Sequence, residues 1–394
     1  MALKISTFLE FSSMTEISLQ FLILIFNRVG REQIQDINEV IDLHKGRHIS
    51  PDYLKNNMFQ LNDLFSIPQA TLLSDIVQYF RDHSMSFHPR YLSDDVSQAA
   101  RFLHTGTHGI GGPLHTEIMK DLSAYLKRAP KLVGYIETLK KHNKKIFLLT
   151  NSTSAFITKG MNYLTSSNDW MDLFDCVIVS AQKPDFYKYQ KPFRRVHEPN
   201  WDQVQSFQQG EIYQGGNLQD FSRLTGWSGQ NVLYFGDHVF SDLADATIQQ
   251  GWHTGAIINE LATEINIRNL PSYRDTLTWL LHLENLLNEA QAWRSKYPNE
   301  NIDNLINEWR HERSQIRITL KTAFNHSFGS VFRTYHNPSY FANKIRKFAD
   351  VYTANVTNLE TVSLDYVFYP KRTYLPHERQ VENLIDTGKV KDYL

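Results

Sequence analysis

The sequence predicts an α/β fold in which helices cover a parallel β-sheet. From about residue 132, short apolar segments alternate with amphipathic helical segments, which is the pattern of a parallel sheet with helices on its faces. The predicted strands at 145–150 and 173–181 carry no polar alternation, as expected of strands buried on both faces. Apolar residues recur at helical spacing both before and after this segment. The sheet is therefore expected between a helical region and a helical extension.

The elements of the alternating segment follow in regular order. Helices are predicted at 132–142, 154–164, 218–224 and 241–250. Strands are predicted at 145–150, 173–181, 231–235 and 254–258. Two later helices, at 273–293 and 302–324, are predicted to pair antiparallel across a short turn. In the region before the sheet, Pro68 marks a helix start.

Composition excludes several classes of protein. The 394 residues suffice for one large domain or two. Lysine and arginine number 41 and aspartate and glutamate 42, a balance that excludes the broad basic surface of a general nucleic-acid or anionic-membrane binder. The single cysteine, Cys176, excludes an intrachain disulfide and a zinc site built from cysteines. Because the chain has only one cysteine, a reducing compartment is favoured. A cytoplasmic location is therefore expected, with a mitochondrial location as the alternative.

The most apolar segment of the chain lies near its beginning, at 17–26. It is too short to cross a bilayer as a helix, which takes roughly 20 apolar residues. No small-residue cleavage pattern follows it, which disfavours a signal peptide. The segment is interpreted as a buried strand or a short core helix, and no membrane association is expected.

Polar side chains follow three of the predicted strands. The first strand ends in Thr150-Asn151, the second is followed by Lys183, and the third by a loop that contains Asp237 and Asp242. Each residue alone has a structural interpretation, as a helix cap or a solvated lysine. Because the carboxyl ends of parallel strands share one edge of the sheet, the set together predicts a phosphate and Mg²⁺ site there.

These segments carry a family resemblance. The strings TNS, KP and GDHVFSD, in this order, resemble motifs II, III and IV of the haloacid dehalogenase superfamily. Longer strings resemble its purine 5'-nucleotidase branch and the 5'-nucleotidase domain-containing proteins: KKIFLLTNSTSAFITKGMNY, DLFDCVIVSAQKPDFY, GEIYQGGNLQDFSRLTGW and VLYFGDHVFSDLAD. The resemblance implies a haloacid dehalogenase-like Rossmannoid sheet with a helical cap region and a C-terminal helical extension.

The resemblance also implies roles for individual residues. Thr150 and Lys183 would be catalytic, with Lys183 stabilising the charged phosphoryl group, and Asn151 would bind phosphate. Asp237 and Asp242 would hold Mg²⁺. The implied activity is Mg²⁺-dependent hydrolysis of a nucleoside 5'-monophosphate, carried out by a homo-oligomer.

Two further residues are implied as contacts of the nucleotide. In the cytosolic purine nucleotidase a phenylalanine and a histidine of the helical region contact the nucleotide. Phe65 in LNDLFSIP and His104 in RFLHTG match them in context. Both belong to the predicted helical region, which would therefore cover the site.

One motif of the superfamily has no counterpart in this sequence. The superfamily attacks phosphate with the first aspartate of a DxDxT motif, and neither DxDxT nor any DxD occurs in this chain. No nucleophile is therefore assigned. Two hypotheses stay open: a 5'-nucleotidase-type hydrolase, and a non-catalytic relative that keeps the pocket or the scaffold. In the superfamily the strand that carries this motif lies mid-sheet, and the apolar segment at 17–26 is the candidate to replace it.

Four regions are expected along the chain. Residues 1–30 form an atypical N-terminus. One interpretation is that this segment is not native to the fold. Residues 31–126 form the helical cap region, and 127–262 form the haloacid dehalogenase-like core. Residues 263–394 form a C-terminal helical region that packs on the core.

Overall fold

A computed structural model of the chain describes residues 28–34, 36–44, 64–106, 112–197, 201–298, 302–326, 328–334 and 337–369. The apolar segment at 17–26 lies outside these residues, so its predicted role as a strand or helix stays a prediction. Within the described residues, no helix combines the length and the apolar character that crossing a bilayer requires.

The part of the chain before the sheet is mainly helical, as predicted. Its elements, in chain order, are β1 (Arg28–Val29), β2 (Glu32–Gln33), α1 (Ile37–His44), α2 (Ser66–Asp82), α3 (Pro89–Thr105), α4 (Pro113–Lys120) and α5 (Leu122–Tyr125). The hairpin β1–β2 packs on α2 and α3 through a small apolar cluster that includes Val29, Val77 and Val96. Helix α2 begins at Ser66, two residues before the predicted start at Pro68.

The alternating segment follows in the predicted order. Its elements are α6 (Pro130–Lys141), β3 (Phe147–Leu149), α7 (Ser154–Thr165), β4 (Cys176–Val179), α8 (Asp185–Lys188), β5 (Phe193–Arg195), β6 (Ile212–Gly215), α9 (Leu218–Thr225), β7 (Leu233–Gly236), a π-helix (Val239–Ala244), α10 (Asp245–Gln250) and β8 (His253–Ile257). All eight predicted helices and strands are present, with ends that differ by a few residues. Strands β5 and β6 were not predicted, because they are only three and four residues long. Strand β6 also ends in Gly215 and is followed by Gly216, and glycine is untypical of strands.

The C-terminal part adds helices, a separate antiparallel hairpin of two short strands, and one further strand that joins the core. Its elements are α11 (Glu260–Asn269), α12 (Pro271–Lys296), α13 (Asp303–Thr322), β9 (Arg333–Thr334), β10 (Asn337–Pro338), α14 (Tyr340–Phe348) and β11 (Val351–Thr353). Helices α12 and α13 are antiparallel, as predicted. Trp279, early in α12, donates a hydrogen bond to Glu312 in the middle of α13, while Arg294, near the end of α12, donates to Asp303 at the start of α13. Strand β11 was not predicted, and it pairs in parallel with β8.

The strands form two main sheets. One has the order β3-β4-β6-β5, with β3, β4 and β6 parallel and β5 antiparallel at the edge. The other has the order β11-β8-β7 and is parallel throughout. Strand β4 is buried along its whole length, as its unbroken apolar sequence predicts. The α/β class, with parallel strands and helices as in a haloacid dehalogenase-like Rossmannoid fold, is confirmed.

Side chains connect the two sheets where β3 and β7 lie nearest each other. Among the described residues no backbone ladder joins these strands. Instead, the Tyr234 hydroxyl on β7 donates to the carbonyl of Leu149 on β3 (3.2 Å), and its ring stacks on Phe147 with 5.9 Å between ring centroids. Trp252 packs into the same aromatic cluster. We call this junction between β3 and β7 the seam.

Candidate functional site

The first predicted site segment follows β3 directly. The Thr150 amide continues the ladder to β4 by donating to the Ile178 carbonyl (2.9 Å). Its hydroxyl accepts a hydrogen bond from the Ser152 amide (3.1 Å), which closes a turn before helix α7. Thr150 is half-buried and Asn151 is exposed. The turn therefore fixes both residues at the carboxyl end of β3, where the sequence predicts a phosphate site.

Asn151 joins this turn to the loop that follows β4. Its Oδ1 accepts from the Lys183 amide (2.6 Å), and its Nδ2 donates to the Lys183 carbonyl (2.9 Å). Two hydrogen bonds to the backbone of one residue define that residue's position and orientation. Asn151 therefore positions the lysine, a role that the sequence analysis did not assign to it.

The loop itself has an unusual backbone. Ser180 and Gln182 both have positive φ angles, of 46° and 58°, and the peptide bond between Lys183 and Pro184 is cis. Non-glycine residues with positive φ are uncommon, and they occur preferentially where the surrounding structure imposes a particular loop shape. Here the loop leaves β4 and brings Lys183 back towards β3 and β7.

Lys183 is buried rather than solvated, so its structural interpretation as a surface lysine is excluded. Its Nζ lies 2.6 Å from Asp242 Oδ1, 2.7 Å from the Tyr234 hydroxyl and 3.3 Å from the Leu149 carbonyl oxygen. The side chains of Lys183 and Asp242 are only 8% and 7% exposed. A buried ion pair is stable only when further hydrogen bonds satisfy its remaining atoms, and this pair has them.

Asp242 lies in the π-helix that follows β7. Its Oδ1 contacts Lys183, and its Oδ2 accepts from the His238 amide (3.2 Å). Gly236 makes this arrangement possible, because a Cβ at that position would collide with the Asp242 side chain. Asp237 remains partly solvent-exposed. Partial burial of its carboxyl group and the negative charge of Asp242 raise its pKa above the usual value.

These two carboxylates fit a hard divalent cation. Burial is the main cause of the raised pKa of Asp237, and the negative charge of Asp242 adds to it; a bound cation would offset both effects. Mg²⁺ typically takes one or two protein carboxylates and keeps several waters. Within the described residues there is no group of three or more His, Cys, Asp or Glu side chains placed to hold a metal. These two carboxylates therefore suit Mg²⁺, which keeps several waters, better than an ion that takes all its ligands from the protein.

Phe65 reaches this loop from the helical region. Its ring stacks on His238 with 5.7 Å between centroids and 16° between planes, and the residue is 58% exposed. His238 Nδ1 accepts from the Ser241 amide (3.1 Å), which holds the imidazole in place. The predicted nucleotide contact thus lies against the loop between Asp237 and Asp242 and presents an aromatic surface to solvent.

His104 is placed differently. It is exposed in the last turn of α3, where its ring centroid lies 6.5 Å from that of His115. His115 in turn packs edge-on against Phe156 of α7. In the part of the chain that the structure describes, His104 makes no hydrogen bond, ion pair or ring contact with the other predicted site residues.

Three residues at the site were missed by sequence reasoning. Tyr234 belongs to the apolar run NVLYF, which predicts a buried strand and gives no sign that its hydroxyl contacts a lysine 51 positions away. Gly236 and His238 lie inside the GDHVFSD string, but neither was given a role. The one available signal was their position at the carboxyl end of a parallel strand, where site residues are expected.

Comparison with known proteins is consistent with this site. The sequence model of the 5' nucleotidase family matches residues 19–380. Over 360 residues, the chain is 40% identical to 5'-nucleotidase domain-containing protein 2 of Rattus norvegicus, covering 89% of this chain and 63% of that protein. It is 40% identical to the protein of the same name from Homo sapiens, again over 360 residues, covering 89% and 67%.

A more distant relative shows the same pattern. The chain is 36% identical over 350 residues to a 5'-nucleotidase domain-containing protein of Dictyostelium discoideum, covering 86% of this chain and 58% of that protein. The chain spans 58–67% of the length of these curated relatives. The family match extends over most of the sequence and includes the whole candidate site, from Phe65 to Asp242. This chain is therefore a member of the 5'-nucleotidase family.

Proposed function

We propose that this chain binds a nucleoside 5'-monophosphate together with Mg²⁺ at the candidate site, and that it acts as a 5'-nucleotidase-type phosphomonoester hydrolase. The observation that carries the proposal is the buried Lys183–Asp242 pair, which lies at the carboxyl ends of β3 and β7 beside the turn at Thr150. A buried cation next to a loop with two carboxylates suits a ligand that brings both phosphate and metal.

The phosphate would be bound by groups from the first sheet. Lys183 Nζ offers positive charge, and the Thr150 hydroxyl, which accepts from the Ser152 amide, keeps its own proton to donate. Asn151 keeps the lysine in position through its two backbone contacts. A preorganised cation of this kind stabilises the charge that develops on a phosphoryl group, because the donors need no rearrangement when the charge appears.

The metal would be held by groups from the second sheet. Asp237 and Asp242 are the residues that would bind Mg²⁺, with water completing its coordination. When bound, the ion would supply charge neutralisation for the phosphoryl oxygens and help to orient them. Asp242 would then be shared between the ion and Lys183. Its Oδ1 contacts Lys183, and its Oδ2, which accepts from the His238 amide, is the oxygen turned away from the lysine.

The nucleoside would extend towards the helical region. Phe65 is the residue that would stack on the base, since its ring is already fixed by His238 and more than half exposed. Stacking on an aromatic ring is tolerant of the identity of the base. His104 is proposed as a second, more distant contact of the nucleotide.

The second candidate function is a non-catalytic nucleotide-binding protein or scaffold. The observation that favours it is the absence of any DxD in the 394 residues. Both carboxylates of the candidate site are assigned to Mg²⁺, and neither is left to act as nucleophile. Binding without turnover would be the property that distinguishes this candidate.

An assay of binding and turnover on the same protein separates the two candidates. Phosphate release from purine and pyrimidine nucleoside 5'-monophosphates would be measured with Mg²⁺ and with EDTA, and binding would be measured by calorimetry. The variant Lys183→Met removes the buried cation, while Lys191→Met removes an exposed lysine of the same loop region. Mg²⁺-dependent release that is lost only in Lys183→Met supports the hydrolase. Binding without release supports the nucleotide-binding form of the second candidate. The absence of both binding and release overturns the hydrolase and the nucleotide-binding form, and it favours the scaffold.

A further inference from the structure

A second cleft lies at the carboxyl end of helix α7, away from the candidate site. Its volume is about 490 Å³, within the range of pockets that bind small molecules. The lining residues are polar or aromatic and come from α7, from the turn after it and from the segment before α6: Arg128, Lys159, Asn162, Tyr163, Ser166, Ser167 and Asn168. None of them belongs to the candidate site.

The charges in this cleft are of one sign. Two of its lining residues are cationic, Arg128 and Lys159, and none is a carboxylate. The Arg128 guanidinium lies 5.5 Å from the centroid of the Tyr163 ring, and within the described chain it has no ion pair. Lys159 Nζ donates one hydrogen bond to the Met119 carbonyl (2.6 Å), which leaves its other protons available. The cleft therefore offers charged donors, and no carboxylate lies among its lining residues.

Asn162 supplies an independent observation. Its Oδ1 is buried in the wall of the cleft and has no hydrogen-bond partner among the described residues. A buried polar atom without a partner is costly to a folded protein and calls for a physical explanation. The oxygen itself is closed to solvent, so a ligand in the cleft would meet the Nδ2 of the same amide, a donor that suits hydroxyl oxygens as well as phosphate oxygens.

A purely structural explanation accounts for part of the arrangement. Helix α7 ends at Thr165, and Ser166 adopts a left-handed conformation with φ of 57°. A cation near the last turn stabilises a helix by opposing its dipole, and Arg128 alone could serve that purpose. This dipole explanation does not account for Lys159, which lies more than one turn before the end of the helix. It also does not account for the Asn162 amide in the wall of the cleft.

We propose that this cleft binds a small phosphate monoester that also carries hydroxyl groups, of the sugar-phosphate class. Arg128 and Lys159 would contact the phosphate as charge-assisted donors, with the Ser167 and Asn168 side chains beside them. The sugar hydroxyls would reach Asn162. Helix α7 begins directly after the Thr150 turn, and its cleft residues, Lys159 to Tyr163, lie about 8–14 Å further along the helix axis.

Ribose 5-phosphate is the probe for the test, with ribose as its uncharged counterpart. Binding would be measured by calorimetry on the full chain. The double variant Arg128→Gln/Lys159→Gln removes both cations of the cleft. The matched control Lys127→Gln/Lys144→Gln removes the same charge from two exposed lysines that do not line it.

Binding by the cleft is measured in EDTA, because with Mg²⁺ the candidate site would take the same phosphate monoester. Ribose 5-phosphate is expected to bind the wild-type chain in EDTA. The double variant should weaken this binding at least about tenfold, and the control should leave it within about twofold. The variant Lys183→Met should also retain it, which separates this cleft from the candidate site. If the double variant folds poorly, Lys159→Gln alone serves, because Lys159 is exposed.

Three results would overturn the proposal. The first is equal affinity in the wild type and the double variant. The second is equal affinity for ribose and ribose 5-phosphate, which would remove the role of the phosphate. The third is the absence of measurable ribose 5-phosphate binding by the wild-type chain, which would leave the two cations a role only at the end of helix α7.

Discussion

The Tyr234 hydroxyl lies 2.7 Å from the ammonium of Lys183 and joins two sheets that no backbone ladder connects in the described chain. Burial and the nearby negative charge of Asp242 raise the pKa of Tyr234 well above its usual value, so the hydroxyl stays protonated. It can therefore accept from Lys183 while it donates to the Leu149 carbonyl at 3.2 Å. A tyrosine on one sheet thus orients the lysine of the other.

The variant Tyr234→Phe is expected to lower the free energy of unfolding by about 1–2 kcal/mol, because the buried Leu149 carbonyl and the Lys183 ammonium each lose a partner. Urea denaturation measures the change. Tyr189→Phe is the control, since Tyr189 is 58% exposed, and it should stay within about 0.5 kcal/mol of the wild type. Equal stability of the two variants would contradict the role given to the Tyr234 hydroxyl.

The variant Lys183→Met should destabilise the protein by about 3–5 kcal/mol, because it leaves the Asp242 carboxylate buried without its partner. Lys191→Met removes a lysine whose pairing with Asp185 is about half exposed, and it should cost less than about 1 kcal/mol. Chemical denaturation of both variants, without ligand, makes the comparison. A loss below about 1 kcal/mol in Lys183→Met would show that the pair contributes little.

Mg²⁺ is expected to stabilise the wild-type chain against unfolding, since it would relieve the repulsion between Asp237 and Asp242. At a free concentration ten times its dissociation constant the gain is about 1.4 kcal/mol. The variant Asp237→Asn should lose this gain, while Asp275→Asn, which changes an exposed residue of helix α12, should keep it. Thermal unfolding at several Mg²⁺ concentrations is the measurement, and a gain of the same size in Asp237→Asn would exclude this carboxylate as a ligand.

The variant Phe65→Ala should weaken the binding of a nucleoside 5'-monophosphate by about two- to tenfold through lost stacking. The affinity for inorganic phosphate should not change, since phosphate has no base to stack. Tyr91→Ala removes another exposed aromatic ring of the helical region and should leave both affinities unchanged. Calorimetric titration gives the two values, and a parallel loss of phosphate affinity would show that Phe65 acts through the loop rather than on the base.

Cys176 should be inert to thiol reagents in the folded protein. It is 2% exposed, and burial together with the negative charge of Asp175 raises its pKa, so the reactive thiolate is scarce at neutral and mildly alkaline pH. At pH 8 labelling is expected to be at least about a thousandfold slower than in urea, because it requires unfolding. Lys144→Cys, which adds an exposed thiol, should label quickly on that residue. Rapid labelling of Cys176 itself would indicate that β4 opens locally.

The sequence predicted the elements of the core because their signals are local. Strand β4 is an unbroken apolar run, and its complete burial follows from that pattern. Strand β6 was missed because four residues, the last of them a glycine with another glycine after it, carry too little pattern, and its pairing with β4 depends on tertiary structure. Strand β11 was missed for the same reason, since it joins the second sheet from a distant part of the chain.

The candidate site was predicted in position but not in its contacts. The order of Lys183 and Asp242 along the chain placed both at the carboxyl ends of the strands, where the structure has them. Their mutual burial could not be predicted, because it depends on the Tyr234 hydroxyl and on a loop with positive φ angles. The stacking of Phe65 on His238 joins residues 173 positions apart, and nothing local in either segment indicates it.

The seam between β3 and β7 divides the candidate site into two halves that belong to different sheets. Lys183 and the Thr150 turn are anchored in one hydrogen-bonded sheet, while Asp237 and Asp242 are anchored in the other. A phosphate that attracts the lysine would compete with a contact that also holds the sheets together. Binding of a phosphate at Lys183 would therefore change the spacing of the two sheets, and a change in that spacing would change the affinity for the phosphate.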